Sequence, residues 1–138
     1  TFLCGGSTTV PPGQWTPIDL TASICDKYGF ADTSNNRISI PPAEYGLYLI
    51  FGSANFQSVQ SPGSFRLRAN IVGGDGNRLD ALSASPRDDV QLNGVGIQFL
   101  SGDRDGLEIQ LEVSQLTDDT ESTVEGYGNT FFGVVRLN

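Results

Sequence analysis

Every second residue from Phe65 to Ile71 is apolar, and the residues between them, Arg66, Arg68 and Asn70, are charged or polar. Leu107 to Val113 repeats the pattern, with Glu108, Gln110 and Glu112 on the wet side. Successive side chains of a strand point to opposite faces, so a period of two marks a strand with one dry face. Val95, Ile97 and Phe99 make a third apolar stripe, expected to face inward like the other two. No stretch carries apolar residues at helical spacing. The chain therefore reads as an all-β fold of antiparallel sheets.

Turn chemistry separates the strands. Asp26-Lys27-Tyr28-Gly29, Ser34-Asn35-Asn36, Gln60-Ser61-Pro62-Gly63, Gly73 to Asn77 and Ser101 to Gly106 carry the Gly, Asn, Asp and Pro that turns need. Pro41 and Pro42 fix φ and remove two backbone donors, so neither a helix nor a central ladder passes through them. Residues 37–40 and 46–51 then read as two strands joined by a tight connection. About eight to ten short strands with regular turns indicate a sandwich, of which the jelly roll is the common eight-stranded form.

The 138 residues fit a single domain, 1–138, with 1–13 read as an N-terminal arm. A chain of this size buries roughly two-thirds of its unfolded surface, so the core needs no staple. Net charge is −8, which opposes binding to nucleic acid. No run approaches the ~20 apolar residues that span a bilayer, so membrane insertion is not expected. The opening residues lack the regions of a signal peptide and the chain has no Met, which suggests a processed product or a cut-out domain. Seven of the eight basic residues are Arg. Cys4 and Cys25 read as buried thiols, with a disulfide tying the arm to the body as the alternative.

The chain has no His, which excludes His-based proton shuttles and Ser-His-Asp triads. The carboxylates lie in turns and on wet strand faces, where solvation explains them. The chain is thus read as non-enzymatic, with no required cofactor. Asp103, Asp105 and Glu108 fall close together along one turn and form the candidate calcium site, since hard cations take several oxygen ligands at once. Asp88 with Asp89, and Asp118 with Asp119, form further acidic loops. None has EF-hand spacing.

The order of motifs resembles the globular head of complement C1q, within the C1q and tumour necrosis factor jelly-roll superfamily. Trp15 to Leu20 stands for the family's first apolar-Asp segment, and Tyr28-Gly29-Phe30 followed by Arg37 to Pro41 for the second. Tyr45-Gly46-Leu47-Tyr48-Leu49-Ile50 matches Pro-Gly-x-Tyr-x-Phe, with Tyr45 and Ile50 as departures. Ser101-Gly102-Asp103 precedes a strand as the family's Gly-Asp does, and Thr130-Phe131-Phe132-Gly133 fits the terminal signature. The likeness covers roughly residues 14–137.

The resemblance implies a homotrimer and calcium near the trimer apex in some members. Adjacent strand residues face opposite ways, so Phe131 and Phe132 cannot share one core. Tyr48, Phe51, Phe131 and Phe132 are the candidate trimer-interface residues, with one of Tyr48 and Phe51 and one of the Phe pair near the axis. Binding is expected at loops 57–64, 73–79, 84–91 and 117–127.

The leading reading is a trimeric virion surface module, such as a bacteriophage head fibre, knob or tail-tip domain. Its partners would be viral particle proteins or a host surface receptor or glycan. One alternative is a secreted, extracellular C1q-like recognition domain. Another is a carbohydrate-binding jelly roll using Trp15, Tyr28, Tyr45 and Tyr127.

Overall fold

The computed structural model describes the backbone of residues 1–59, 63–73, 78–85, 88–102, 105–117, 122–124, 126 and 130–138. Within these, the side chains of residues 22, 58, 59, 78–85, 88–90 and 122 stand outside the description.

Two antiparallel sheets face each other. The first is built from β1 (Phe2–Gly5), β2 (Thr8–Val10), β4 (Leu20–Cys25), β7 (Gly46–Val59), β10 (Asp88–Leu100), β12 (Ser122–Val124) and β13 (Phe131–Arg136). The second holds β3 (Thr16–Pro17), β5 (Ala31–Asp32), β6 (Arg37–Ile40), β8 (Gly63–Val72), β9 (Arg78–Ser85) and β11 (Leu107–Leu116). The Pro41-Pro42 connection is a 3₁₀ turn over Pro42–Glu44, and a second 3₁₀ turn spans Thr33–Asn35.

The stripes at Phe65–Ile71 and Leu107–Val113 do face inward. Phe65, Leu67, Ala69, Ile71, Leu107, Ile109, Leu111 and Val113 are all buried. Opposite them the first sheet contributes Leu3, Tyr48, Ile50, Phe56, Phe132 and Val134. Phe56 and Phe65 meet across the layers with ring centroids 4.8 Å apart. Gly52 keeps this approach open: a Cβ there would lie 2.6 Å from Leu111 Cδ1. Tyr48 is buried with its hydroxyl donating to the Glu44 carbonyl at 2.7 Å, which satisfies its one polar atom.

Three expectations change. Residues 1–13 are not an arm lying outside the sandwich. β1 sits inside the first sheet, between β13 and β4, and Leu3 and Val10 are fully buried. The cysteines are the free thiols expected, but only Cys4 is buried and Cys25 is exposed; β1 and β4 pair Cys4 with Ala22 and Phe2 with Cys25. Most notably, the Val95, Ile97, Phe99 stripe faces outward. The inward positions of β10 between Leu92 and Leu100 are Gly94, Gly96 and Gln98. Alternation marks an apolar face without saying what that face meets.

The connections sort to two poles. β7 ends and β8 begins at one pole, where β9 also leads into β10 and β11 leads into β12. Loops 57–64, 84–91 and 117–127 therefore start from the same end. Loop 73–79 starts from the other, since Val72 pairs with Glu108 at the start of β11. The C-terminus lies at that second end, where Leu137 N–H donates to Leu47 O and Asn138 Oδ1 accepts from Leu47 N–H.

On the outer side of the second sheet, Glu112 is buried and accepts from Arg68 Nε and Asn70 Nδ2. The Arg68 guanidinium lies 4.0 Å from the Trp15 ring centroid and that of Arg66 lies 4.9 Å away. At the Thr33–Asn35 turn, Asp32 accepts from Ser34 Oγ at 2.7 Å, from Asn35 Nδ2 and from Arg37 Nε at 2.8 Å. These bonds, that from Ser34 first, hold its carboxyl down at about 2 against an ordinary 3.8. A lowered folded pKa stabilises above the unfolded value and is lost as pH falls through the folded one. Urea titrations between pH 4 and pH 2 should show a flatter acid limb in Asp32→Asn than in the parent. In the same assay at neutral pH, Phe132→Ala should cost about 3–5 kcal/mol, as for a fully buried aromatic truncated in a core.

Candidate subunit interface

The outer face of the first sheet is apolar where a wet face is expected. In the β7–β10 ladder Phe51 pairs with Val95, Leu49 with Ile97 and Leu47 with Phe99. Directly opposite residues share a face. Val95 is 71% exposed, Ile97 63% and Phe99 60%. β13 extends the patch with Phe131 and Val135, and β1 adds Phe2, paired with Gly133. On the far edge β4 carries Ile24, 61% exposed, at the register shift between the Phe2–Cys25 and Leu3–Ser23 pairs.

At the centre of this face three rings form a cluster. Phe2 stacks on Phe51 at 5.9 Å between centroids, and Phe131 is tilted against both, at 5.6 Å from Phe2 and 6.2 Å from Phe51. Gly133 lies directly beneath: a Cβ on it would sit 2.3 Å from Phe51 Cζ. The absent side chain lets the Phe51 ring lie down over the sheet. Toward the loop pole the face turns polar, with Ser53 and Asn55 buried, Gln91 Nε2 donating to Ser53 Oγ, and Asn55 N–H donating to Thr130 Oγ1 at 3.3 Å.

Parity decides among the four interface candidates. Phe51 and Phe131 are on the outer face, half-buried in the cluster. Tyr48 and Phe132 are not: both face the core and are at most 1% exposed. Phe2, Val95, Ile97 and Phe99 belong to the face and were missed. The signal for the last three was present as a stripe, but was assigned to the core.

Of the calcium candidates, Asp105 and Glu108 are the described members. Asp103 lies outside the described residues, as do Asp118, Asp119 and the side chains of Asp88 and Asp89. Asp105 is exposed. Glu108 Oε1 pairs with Arg37 Nη1 at 2.6 Å, and Arg37 also holds Asp32, so a cation already occupies that carboxylate's near side. Among the described residues no group of three or more metal-ligating side chains forms.

Of the four sugar-stacking candidates, the three described residues each have their own neighbours. Trp15 lies under Arg66 and Arg68, Tyr28 stacks on Phe30, and Tyr45 packs against the core. Tyr127 lies outside the described residues. Between the layers the void lined by Gly52, Ala69, Gly94 and Leu111 measures about 10 Å³, room for no more than a water.

No family model and no curated protein sequence matches the chain. Its fold does match solved structures. The globular domain of zebrafish complement 1qA protein superposes with a TM-score of 0.66 at 11% identity, covering 99% of this chain and 95% of that one. Eiger TNF from S. frugiperda gives 0.67 at 16% identity, with 99% and 90% covered. Murine APRIL gives 0.64 at 14% identity, with 99% and 96% covered. The chain has the C1q and tumour necrosis factor type of jelly-roll fold.

The Gly133–Phe51 contact gives a direct check. Gly133→Ala should lift the Phe51 ring off the sheet and cost about 1–3 kcal/mol, the usual penalty for overpacking. Chemical denaturation measures the cost, and the near-ultraviolet aromatic signal reports the ring displacement.

Proposed function

We propose that this chain is one subunit of a homotrimeric, non-enzymatic binding module carried on a virion surface. The observation that carries the oligomeric part is the outward stripe of β10. Three of the most exposed large apolar side chains sit on consecutive outward positions of one strand, beside a ready-made aromatic cluster. Large contiguous apolar patches mark protein contacts. The patch is also asymmetric, with Val95, Ile97 and Phe99 at one edge and the Phe2–Phe51–Phe131 platform at the centre. An edge of one copy meeting the platform of the next is a heterologous contact, and such contacts close into rings.

The sorting of connections supports the binding part. Loops 57–64, 84–91 and 117–127 share one pole, and the C-terminus lies at the other. In a ring about an axis running along the sheet, three copies of those loops point the same way. The absence of His from the chain and the engagement of Glu44, Glu108 and Glu112 by arginines support a non-catalytic role. Among the described residues no helix is long and apolar enough to cross a membrane.

The virion setting rests on the divergence of the sequence from the animal structures it resembles, on its bias of Arg over Lys and on its lack of Met. The likeness to complement and TNF-type chains favours, as a second reading, a secreted recognition domain with the same binding pole. Gold-labelled antibody against the domain should decorate intact particles on the first reading and leave them bare on the second.

Light scattering at micromolar concentration should return three times the 14.7 kDa chain mass. Val95→Asp combined with Ile97→Asp should return a monomer with an unchanged far-ultraviolet spectrum. A monomeric parent protein would reject the trimer.

A further inference from the structure

On the outer side of the second sheet, Arg66 is a cation without a counter-charge. Its neighbour along the strand, Arg68, has an acidic residue opposite it on either side, Glu112 on β11 and Asp80 on β9, and donates to Glu112. Arg37 pairs with Asp32 and Glu108, and Arg136 with Glu44. Arg66 instead stands between Ser114 and Leu82, both neutral. It is exposed, and among the described residues it forms no ion pair.

The side chain is nevertheless held. Its guanidinium lies 4.9 Å from the Trp15 ring centroid, within the range of cation–π attraction. Trp15 is half-buried and its backbone is fastened to β11 on both sides. Before it, Gly13 N–H donates to Gln115 O at 2.8 Å; after it, Thr16 and Pro17 pair with Val113 and Glu112. A restrained side chain gives up less freedom when it binds. Beside Arg66 on the same face stands Leu116, 56% exposed and paired with Ser64. Diagonal neighbours of this kind lie within reach of one another's long side chains. β8 begins at Gly63 and β11 ends at Leu116, so the patch adjoins loops 57–64 and 117–127.

We propose that Trp15, Arg66 and Leu116 form a docking site for an acidic segment of a partner protein, with an Asp or Glu carboxylate on Arg66 and an apolar neighbour on Leu116. This names a partner chemistry for the loop pole and rests on the reading of that pole as the binding end. A guanidinium fork takes a carboxylate through two parallel N–H···O bonds. One uncompensated positive charge matches a carboxylate better than a phosphate, which carries about −1.5 to −2. The net charge of −8 repels polyanions such as sulfated glycans. Arg and Trp are also the side chains that most often dominate protein contacts. The patch lies on the sheet opposite the Val95–Phe99 face, so a ring closed through that face does not consume it.

Trp15 is the only Trp of the chain, so its fluorescence reports this site alone. Titration with the peptide acetyl-Gly-Leu-Glu-Gly-amide should change Trp15 emission saturably. The same peptide with Gln for Glu should bind about fivefold more weakly, the upper end of what an exposed ion pair supplies. In Arg66→Gln, with an unchanged far-ultraviolet spectrum, the two peptides should bind alike. No saturable response to the Glu peptide, equal affinity of the parent for both peptides, or a preference for Glu that survives Arg66→Gln would overturn the proposal. Tighter binding of a sulfated disaccharide than of the Glu peptide would overturn it too. The titration reads a flank that a monomer and a trimer present alike, so light scattering and particle labelling judge the assembly and its setting separately.

Discussion

Strand β7 is the constraint on which the rest of the sandwich depends. Its fourteen residues pair with β10 along one edge and with β13 and then β12 along the other. Its inward residues, Tyr48, Ile50, Gly52, Ala54 and Phe56, set the depth of the core. Its outward residues Leu47, Leu49 and Phe51 form the middle of the apolar face. A shift of one residue in its register would exchange the two sets. Because β10 and β13 are both paired to β7 residue by residue, the core and the outer face are fixed by the same ladder.

β12 and β13 share the β7 edge as one interrupted course, with Val124 opposite Phe56 and Phe131 opposite Ser53. Their neighbours β2 and β1 are interrupted at the same level, between Gly5 and Thr8. Gly126 sits against this break, where a Cβ would come within 2.8 Å of Ser7 N. Gly6 N–H donates to Asp19 O there, and Thr8 Oγ1 accepts from Asp19 N–H at 2.9 Å. Asp19 thus takes up backbone and side-chain hydrogen bonds on both sides of the break.

What was legible in the sequence follows from how far local physics reaches. The stripes of β8 and β11 declared their inward faces because their alternate residues are Arg, Glu, Asn and Gln, which have to stay near water or a partner. The β10 stripe was misread because its alternates are Gly94, Gly96 and Gln98, which are neutral between core and solvent. Strand parity separated Phe131 from Phe132 correctly, but which of them was inward depended on a register that only the β7 pairing supplies. β1 was taken for an arm because four residues ending in Gly5 and followed by Gly6 carry little strand signal. Its place against β13 comes from contacts more than a hundred residues away in sequence. Asp105 and Glu108 are near neighbours along the chain, yet Arg37, on a separate strand, claims Glu108. The sequence does not reveal that competitor.

The outward stripe of β10 also bears on how this protein behaves before it finds its partners. Past the Asp88–Val90 register shift, β10 holds no Lys, Arg or Pro, and its outer face of Val95, Ile97 and Phe99 lacks the charges and prolines that discourage pairing with the wrong chain. If the chain assembles through this face as proposed, dilution would do more than separate subunits: it would expose a template for misassembly. Folding and association would then be one linked equilibrium, with stability rising with protomer concentration. The hazard of this face in isolation and its use in assembly are the same property, and the concentration of the chain decides which prevails.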